Sequence, residues 1–354
     1  MKNICKKITL VFLCVIMCTM SFSSCNNVPY DYDLNEYITV PSDLSAVTVT
    51  DAEIRAGIDK TVNSILDNKA IKIKETEIGI REGHVLNISF KCYQLEEDEN
   101  GKPIEITILS DNACTLVIGE DEKYPQDLQF ALIRKIAGES FDAIVKLPSS
   151  FTALGLAGEK IRYVGQIQEV YRVERPEYND DFVKLISKYQ TVEEYEAYLY
   201  EKIKEELIFE KLLELAGEPK AYPTNELQAY TDSFAKYYTE QANALGISLE
   251  EYVNKKFFIT ITEFYKKEDT YSKQLVAKEL LLYSLARKYG IDVSDAEYAS
   301  GASKYAAQYG FDTVQQFEAK FGSSNIRQTL LMDEVLVYLS RLVEVTVEPE
   351  QPQE

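Results

Sequence analysis

The 354-residue sequence contains no Trp and a single His, His84. One imidazole excludes any metal centre or catalytic arrangement that needs two. Proline and glycine are sparse, at 10 and 15 residues. That excludes a collagenous chain and leaves room for long, unbroken helices. Basic residues are outnumbered 38 to 58, for a net charge of −20. So acidic a chain repels phosphate backbones, which argues against nucleic acid as a partner. No GxxxxGK[ST] loop occurs, so nothing points to ATP, and no cofactor is expected. What is present is ordinary globular material, 45% apolar and 27% charged, with Tyr abundant at 25 residues. The length suggests two or three domains.

The one long hydrophobic run lies at the start. Lys2, Lys6 and Lys7 precede an almost unbroken apolar stretch from Ile8 to Met20, 13 residues long. A membrane span needs about 20, whereas a secretory leader needs a run of this size. Ser23 and Ser24 then precede Cys25. This resembles a bacterial lipobox, with Phe22 where Leu is usual. It implies a leader at 1–24, a lipid-bearing Cys25 and an extracytoplasmic protein anchored to the cell membrane. A plain secretory signal or an uncleaved anchor is the alternative. Removing the leader's three lysines takes the charge from −20 to about −23. Three of the six cysteines leave with the leader and Cys25 carries lipid. Cys92 and Cys114 remain, either as one disulfide or as two buried thiols in adjacent strands.

Residues 25–47 are polar, carry two Pro and show no helical period, so they read as a tether. An arm at 48–78 follows, with Ile54, Ile58, Val62 and Ile65 along one helical face. Residues 79–173 have strand composition at 85–90, 104–109, 114–118, 141–147 and 161–170. A short helix is expected over 126–136. Glu96–Asn100 reads as a solvated hairpin tip, and His84 as a surface residue entering a strand. Residues 174–347 are helical. Capping boxes are expected at Thr191–Glu194 and Ser248–Glu251, with helices near 225–245, 252–264, 268–289 and 326–343. The tail at 348–354 is acidic and Pro-rich, hence expected to be disordered. The fold class is therefore α+β: a small antiparallel sheet module with one short helix, then an all-α part.

Three stretches, in this order, resemble the trigger factor family of folding chaperones. VTVTDAEIRAGIDKTVNSILDN followed by IREGHVLNISFKC is similar to that family's arm running into its FKBP-type isomerase domain. LVIGEDEKYPQDLQFALIRKIAGESFDAIVKLP is similar to the part of that domain around its helix. GISLEEY, AKELLLYSLARKYGIDVSDAEY and RQTLLMDEVLVYLSRLVEVTVE resemble the helical substrate-binding domain. The resemblance covers about residues 47–347. The family's ribosome-docking domain and its basic loop have no counterpart, and the lipobox stands in their place. The resemblance thus implies a chaperone for unfolded or newly secreted polypeptides, working outside the cytoplasm and without the ribosome.

An FKBP-type site holds a prolyl ring in a dry aromatic cradle and favours a twisted amide, so it needs no nucleophile. By similarity, the cradle residues are Phe90, Ile104, Tyr124, Leu128 and Tyr163, with Phe151 as a possible wall. Asp127-Leu128-Gln129 departs from the family's Gly-aromatic-Glu at the helix start, which leaves isomerase activity an open expectation. Each of these residues can equally be core. Client contacts are expected in the aromatic-rich stretch 230–271, at Phe234, Tyr238, Phe257, Phe258 and Phe264, with a second cluster from Tyr305 to Phe321. A solute- or partner-binding lipoprotein is the competing function. It predicts two α/β lobes, and the sequence shows no alternating βαβ pattern.

Overall fold

The computed structural model describes residues 33–97, 99–100, 102–121, 124–149, 155–257 and 259–346. The leader, Cys25, Phe151, Phe258 and the tail lie outside them. The chain forms two compact units. One takes residues 33–64, 179–240 and 266–346; the other takes 65–178 and 241–265. The class is α+β, with the sheet module and the helical part each recognisable.

The first unit opens differently from the expected tether. Two 3-10 turns, Leu34–Glu36 and Leu44–Ala46, are capped by the Asp33 and Asp43 carboxylates. Leu34, Ile38 and Val47 are buried. Apolar residues spaced through a polar stretch lack helical period yet still find a core, which periodicity alone does not reveal. Next, β1 (Val49–Thr50) pairs in parallel with β7 (Val345–Thr346), joining the two ends of the described chain.

Helix α1 (Asp51–Lys69) starts at a capping box. The Thr50 hydroxyl accepts from Glu53 N at 3.2 Å, and the Glu53 carboxylate accepts from Thr50 N at 2.9 Å. Ile54, Ile58 and Val62 are buried as expected, and Leu66 rather than Ile65 continues the stripe. Of the other helices, α3 (Asp180–Ile186) and α4 (Val192–Ala216) follow the sheet module, with Thr191 capping α4. The buried face of α4 carries Tyr195, Leu199, Ile203, Ile208, Phe209 and Leu212.

After α5 (Thr224–Ala244) the expected break at 264–268 falls earlier. Helix α6 (Leu249–Phe257) stops, and α7 (Ile261–Tyr289) begins at once. The cause is a capping box at Thr260. The Thr260 hydroxyl accepts from Glu263 N at 3.2 Å, and the Glu263 carboxylate accepts from Thr260 N at 2.8 Å. The chain ends through α8 (Asp295–Gln308), α9 (Val314–Phe321) and α10 (Ser323–Ser340).

In the second unit, β2 (Ile71–Glu75), β6 (Lys160–Glu174), β3 (Val85–Glu97) and β4 (Pro103–Val117) lie in that order, all antiparallel. β5 (Ser140–Lys146) pairs with the other half of β6. Two expected strands, 104–109 and 114–118, are thus one strand, β4. Its register against β3 slips between Phe90 and Tyr93, so residues 110 and 111 form a bulge inside one strand and not a loop between two. β2 was missed because Ile-Lys alternation over five residues is a short signal. The helix α2 (Gln126–Leu132) ends four residues early: Arg134 takes φ 70°, and its amide donates to Ile80 O. No described residues form a pair of α/β lobes.

Cys92 and Cys114 are thiols, the first buried and the second half-buried. Cys114 stands opposite Ile88 in the β3–β4 register, four residues along from Cys92. At about 3.3 Å per residue that separation is roughly 13 Å, too far for a disulfide.

Candidate functional site

Four of the five expected cradle residues come together. Phe90 on β3 lies opposite Gly165 of β6, and Tyr163 lies opposite Cys92. The absence of a side chain at Gly165 lets Phe90 and Phe141 close over β6: an added Cβ would sit 2.2 Å from Ser89 O and 2.7 Å from each ring side chain. The Phe90 ring meets Tyr163 at 5.7 Å and Tyr124 edge-on at 6.2 Å. Leu128 projects from α2 into the same cluster.

Ile104 is not among them. It pairs with Glu96 near the hairpin tip and is 38% exposed, while Ile108, two pleat repeats further along β4, packs against the cluster. The hairpin register, with Glu97 opposite Pro103 and Glu96 opposite Ile104, places it there.

The cluster is closed. Phe90, Tyr124, Leu128 and Tyr163 are between 0% and 6% exposed. Burial holds both tyrosine hydroxyls far above their ordinary range, and Tyr124 also shares a hydrogen bond with the Cys114 thiol. Gln129, read in the sequence only as a departure from the family pattern, is the structural tie. Its carbonyl accepts from Gly119 N at 2.7 Å, and its amide donates to Asp121 O and Tyr124 O at 2.8 and 2.9 Å. It thereby pins the loop carrying Tyr124 onto α2. His84, expected at the surface, is half-buried, and that burial lowers its pKa.

An open cleft of about 420 Å³ adjoins this core. Cys114 and Tyr124 reach its wall beside Asn87, Thr115 and Gln168, with Lys255 and Lys256 of α6 across it. The aromatic helical stretch is mixed in exposure. Phe234 meets Tyr238 at 4.9 Å and Tyr271 at 5.5 Å, both tilted, and Phe257 meets Tyr252 edge-on at 6.0 Å. Phe264 is core at 3% exposed, whereas its neighbour Tyr265 is 48% exposed. In the second cluster Phe317 and Phe321 are buried, with Tyr305, Tyr309 and Phe311 packed around them. The exposed apolar residues outside these clusters include Leu185 at 79% and Tyr198 at 39%, the latter stacked 5.2 Å from Tyr189.

No protein-family model matches the chain. It is similar to the trigger factor of Finegoldia magna, 24% identical over 311 residues, covering 83% of this chain and 66% of that one. The trigger factor of Lysinibacillus sphaericus is 26% identical over 340 residues (92% and 75% covered), and that of Syntrophomonas wolfei 26% over 274 (73% and 59%). The chain spans about two thirds of the length of these trigger factors. A solved trigger factor chaperone, described for promiscuous substrate recognition in folding and assembly, aligns at 20% identity. It covers 87% of this chain and 73% of that one, with a TM-score of 0.32.

Proposed function

We propose that the chain is a folding chaperone that holds unfolded polypeptides, tethered outside the cytoplasm by lipid on Cys25 and working without the ribosome. The observation that carries the reading is the trigger factor similarity over most of the chain, through both the sheet module and the helices. The lipobox-like leader supports the address. An acidic body supports solubility while apolar side chains such as Leu185, Tyr198 and Tyr265 stay exposed.

In this reading the sheet module is chiefly a scaffold, because a prolyl ring needs an open cradle and the aromatic cluster is shut. A second reading, an active prolyl isomerase, is favoured by the meeting of Phe90, Tyr124, Tyr163 and Leu128 around one point.

The test uses residues 26–354 and a client whose refolding is limited by proline isomerisation, a step of tens to hundreds of seconds. The expected result is suppressed client aggregation with the slow phase unchanged. An accelerated slow phase that is lost in Tyr163→Ala and Leu128→Ala supports the second reading. Cys25→Ser in the producing cell is expected to move the protein from the membrane fraction to the soluble one; retention on the membrane would remove the lipid tether from the proposal.

A further inference from the structure

Residues 33–47 are held on the helical unit in a way that resembles a bound peptide. The segment has no regular secondary structure beyond two short 3-10 turns. It buries Leu34, Ile38 and Val47 to 5% exposure or less. Its main chain is gripped through carbonyls. Lys220 N donates to Tyr37 O at 2.7 Å, Lys220 Nζ to Asn35 O at 3.1 Å, and Lys288 Nζ to Pro41 O at 2.7 Å. Lys220 belongs to the turn between α4 and α5, and Lys288 to the end of α7.

These are the contacts that a promiscuous binder needs. Carbonyls occur in every polypeptide, so two lysines and one backbone amide recognise an extended chain whatever its side chains are. Seats for a few apolar side chains then favour unfolded, hydrophobic segments. The attachment is also thin: three well-buried apolar side chains hold fifteen ordered residues, and ordering costs grow with every residue fixed. β1 follows at once and keeps its ladder with β7, so the segment can leave its seat while the fold beyond Val49 stays closed.

We propose that residues 33–47 act as a resident pseudo-client, occupying the seat that an extended, apolar-bearing segment of a client takes when it displaces them. This rests on the chaperone reading above and names its docking surface and its occupant. The segment guards the seat when no client is present, and free client must compete with it.

Hydrogen exchange on the full mature chain tests this, with reduced and carboxymethylated α-lactalbumin as the unfolded probe. Amides of Tyr37, Ile38 and Val47, which donate within the segment, are expected to exchange at least tenfold faster at saturating probe. Leu34→Ser with Ile38→Ser is expected to bind the probe about tenfold more tightly than wild type. If that variant does not fold, the wild-type exchange experiment decides alone. Probe binding with exchange in 33–47 unchanged or slowed overturns the inference and leaves the chaperone reading standing. A wild-type chain that binds no probe overturns both.

Discussion

Gly165 and Glu206 show how much is decided at single positions. Gly165 lies where β6 passes under Phe90 and Phe141 and against Ser89 O, so a methyl group there must move backbone as well as side chains. Gly165→Ala is expected to cost about 3 kcal/mol, read as a lower denaturation midpoint of the sheet unit. Glu206, on α4, is raised to about 7 by burial first and then by Glu210, with Lys202 and Lys278 pulling the other way. A carboxyl raised above its unfolded value binds more protons when folded, so its cost to stability grows as pH rises from about 4.5 to about 7. Glu206→Gln is therefore expected to stabilise the protein by roughly 1–2 kcal/mol at pH 8 and to leave it unchanged near pH 4. Melting curves at the two pH values check this; an equal effect at both would show that Glu206 ionises normally. Neither position could be singled out from the sequence. Gly165 sits in a strand like any other glycine, and Glu206 is one of several acids on a charged helix. Phe90, Tyr163 and Leu128 are legible as a group only through the family resemblance, which aligns them with one pocket; their residue types alone fit plain core equally well.

Among the elements, those with explicit start signals were read best. The Ser294 cap of α8 is complete: its hydroxyl accepts from Glu297 N at 3.3 Å, and the Glu297 carboxylate accepts from Ser294 N at 2.8 Å. Ser294→Ala is expected to cost about 1 kcal/mol, measurable as a lower urea midpoint, with Ser294→Asp restoring most of it. The same chemistry at Thr260 and Glu263 went unread because the aromatic run around it kept a helical pattern going. Strand β4 illustrates the opposite difficulty. Its polar middle reads as a turn in the sequence, yet the strand runs on through a bulge there, at the edge of the sheet. That edge carries Ile104 and Ile106, 38% and 43% exposed. Ile106→Lys is expected to leave stability within about 0.5 kcal/mol and to slow self-association on heating, followed by light scattering.

At the scale of the molecule, the sheet module has its two ends side by side. Ile71, where it starts, is the register partner of Glu174, where it ends. Replacing 71–174 by a short Gly-Ser link is therefore expected to leave the helical unit folded, with its helical circular dichroism retained; loss of that signal would show the helices depend on the sheet. The sequence by itself determined the class, the acidic charge, the helix starts at Thr191 and Ser248, and the apolar strand centres, because each depends on residues close in the chain. Only the tertiary structure decided that residues 34–47 are packed, that Cys92 and Cys114 stay apart, that Ile104 lies outside the aromatic cluster and that the cluster is closed. Those outcomes depend on strand register and on which distant surface covers a given side chain, and neither is encoded in local pattern.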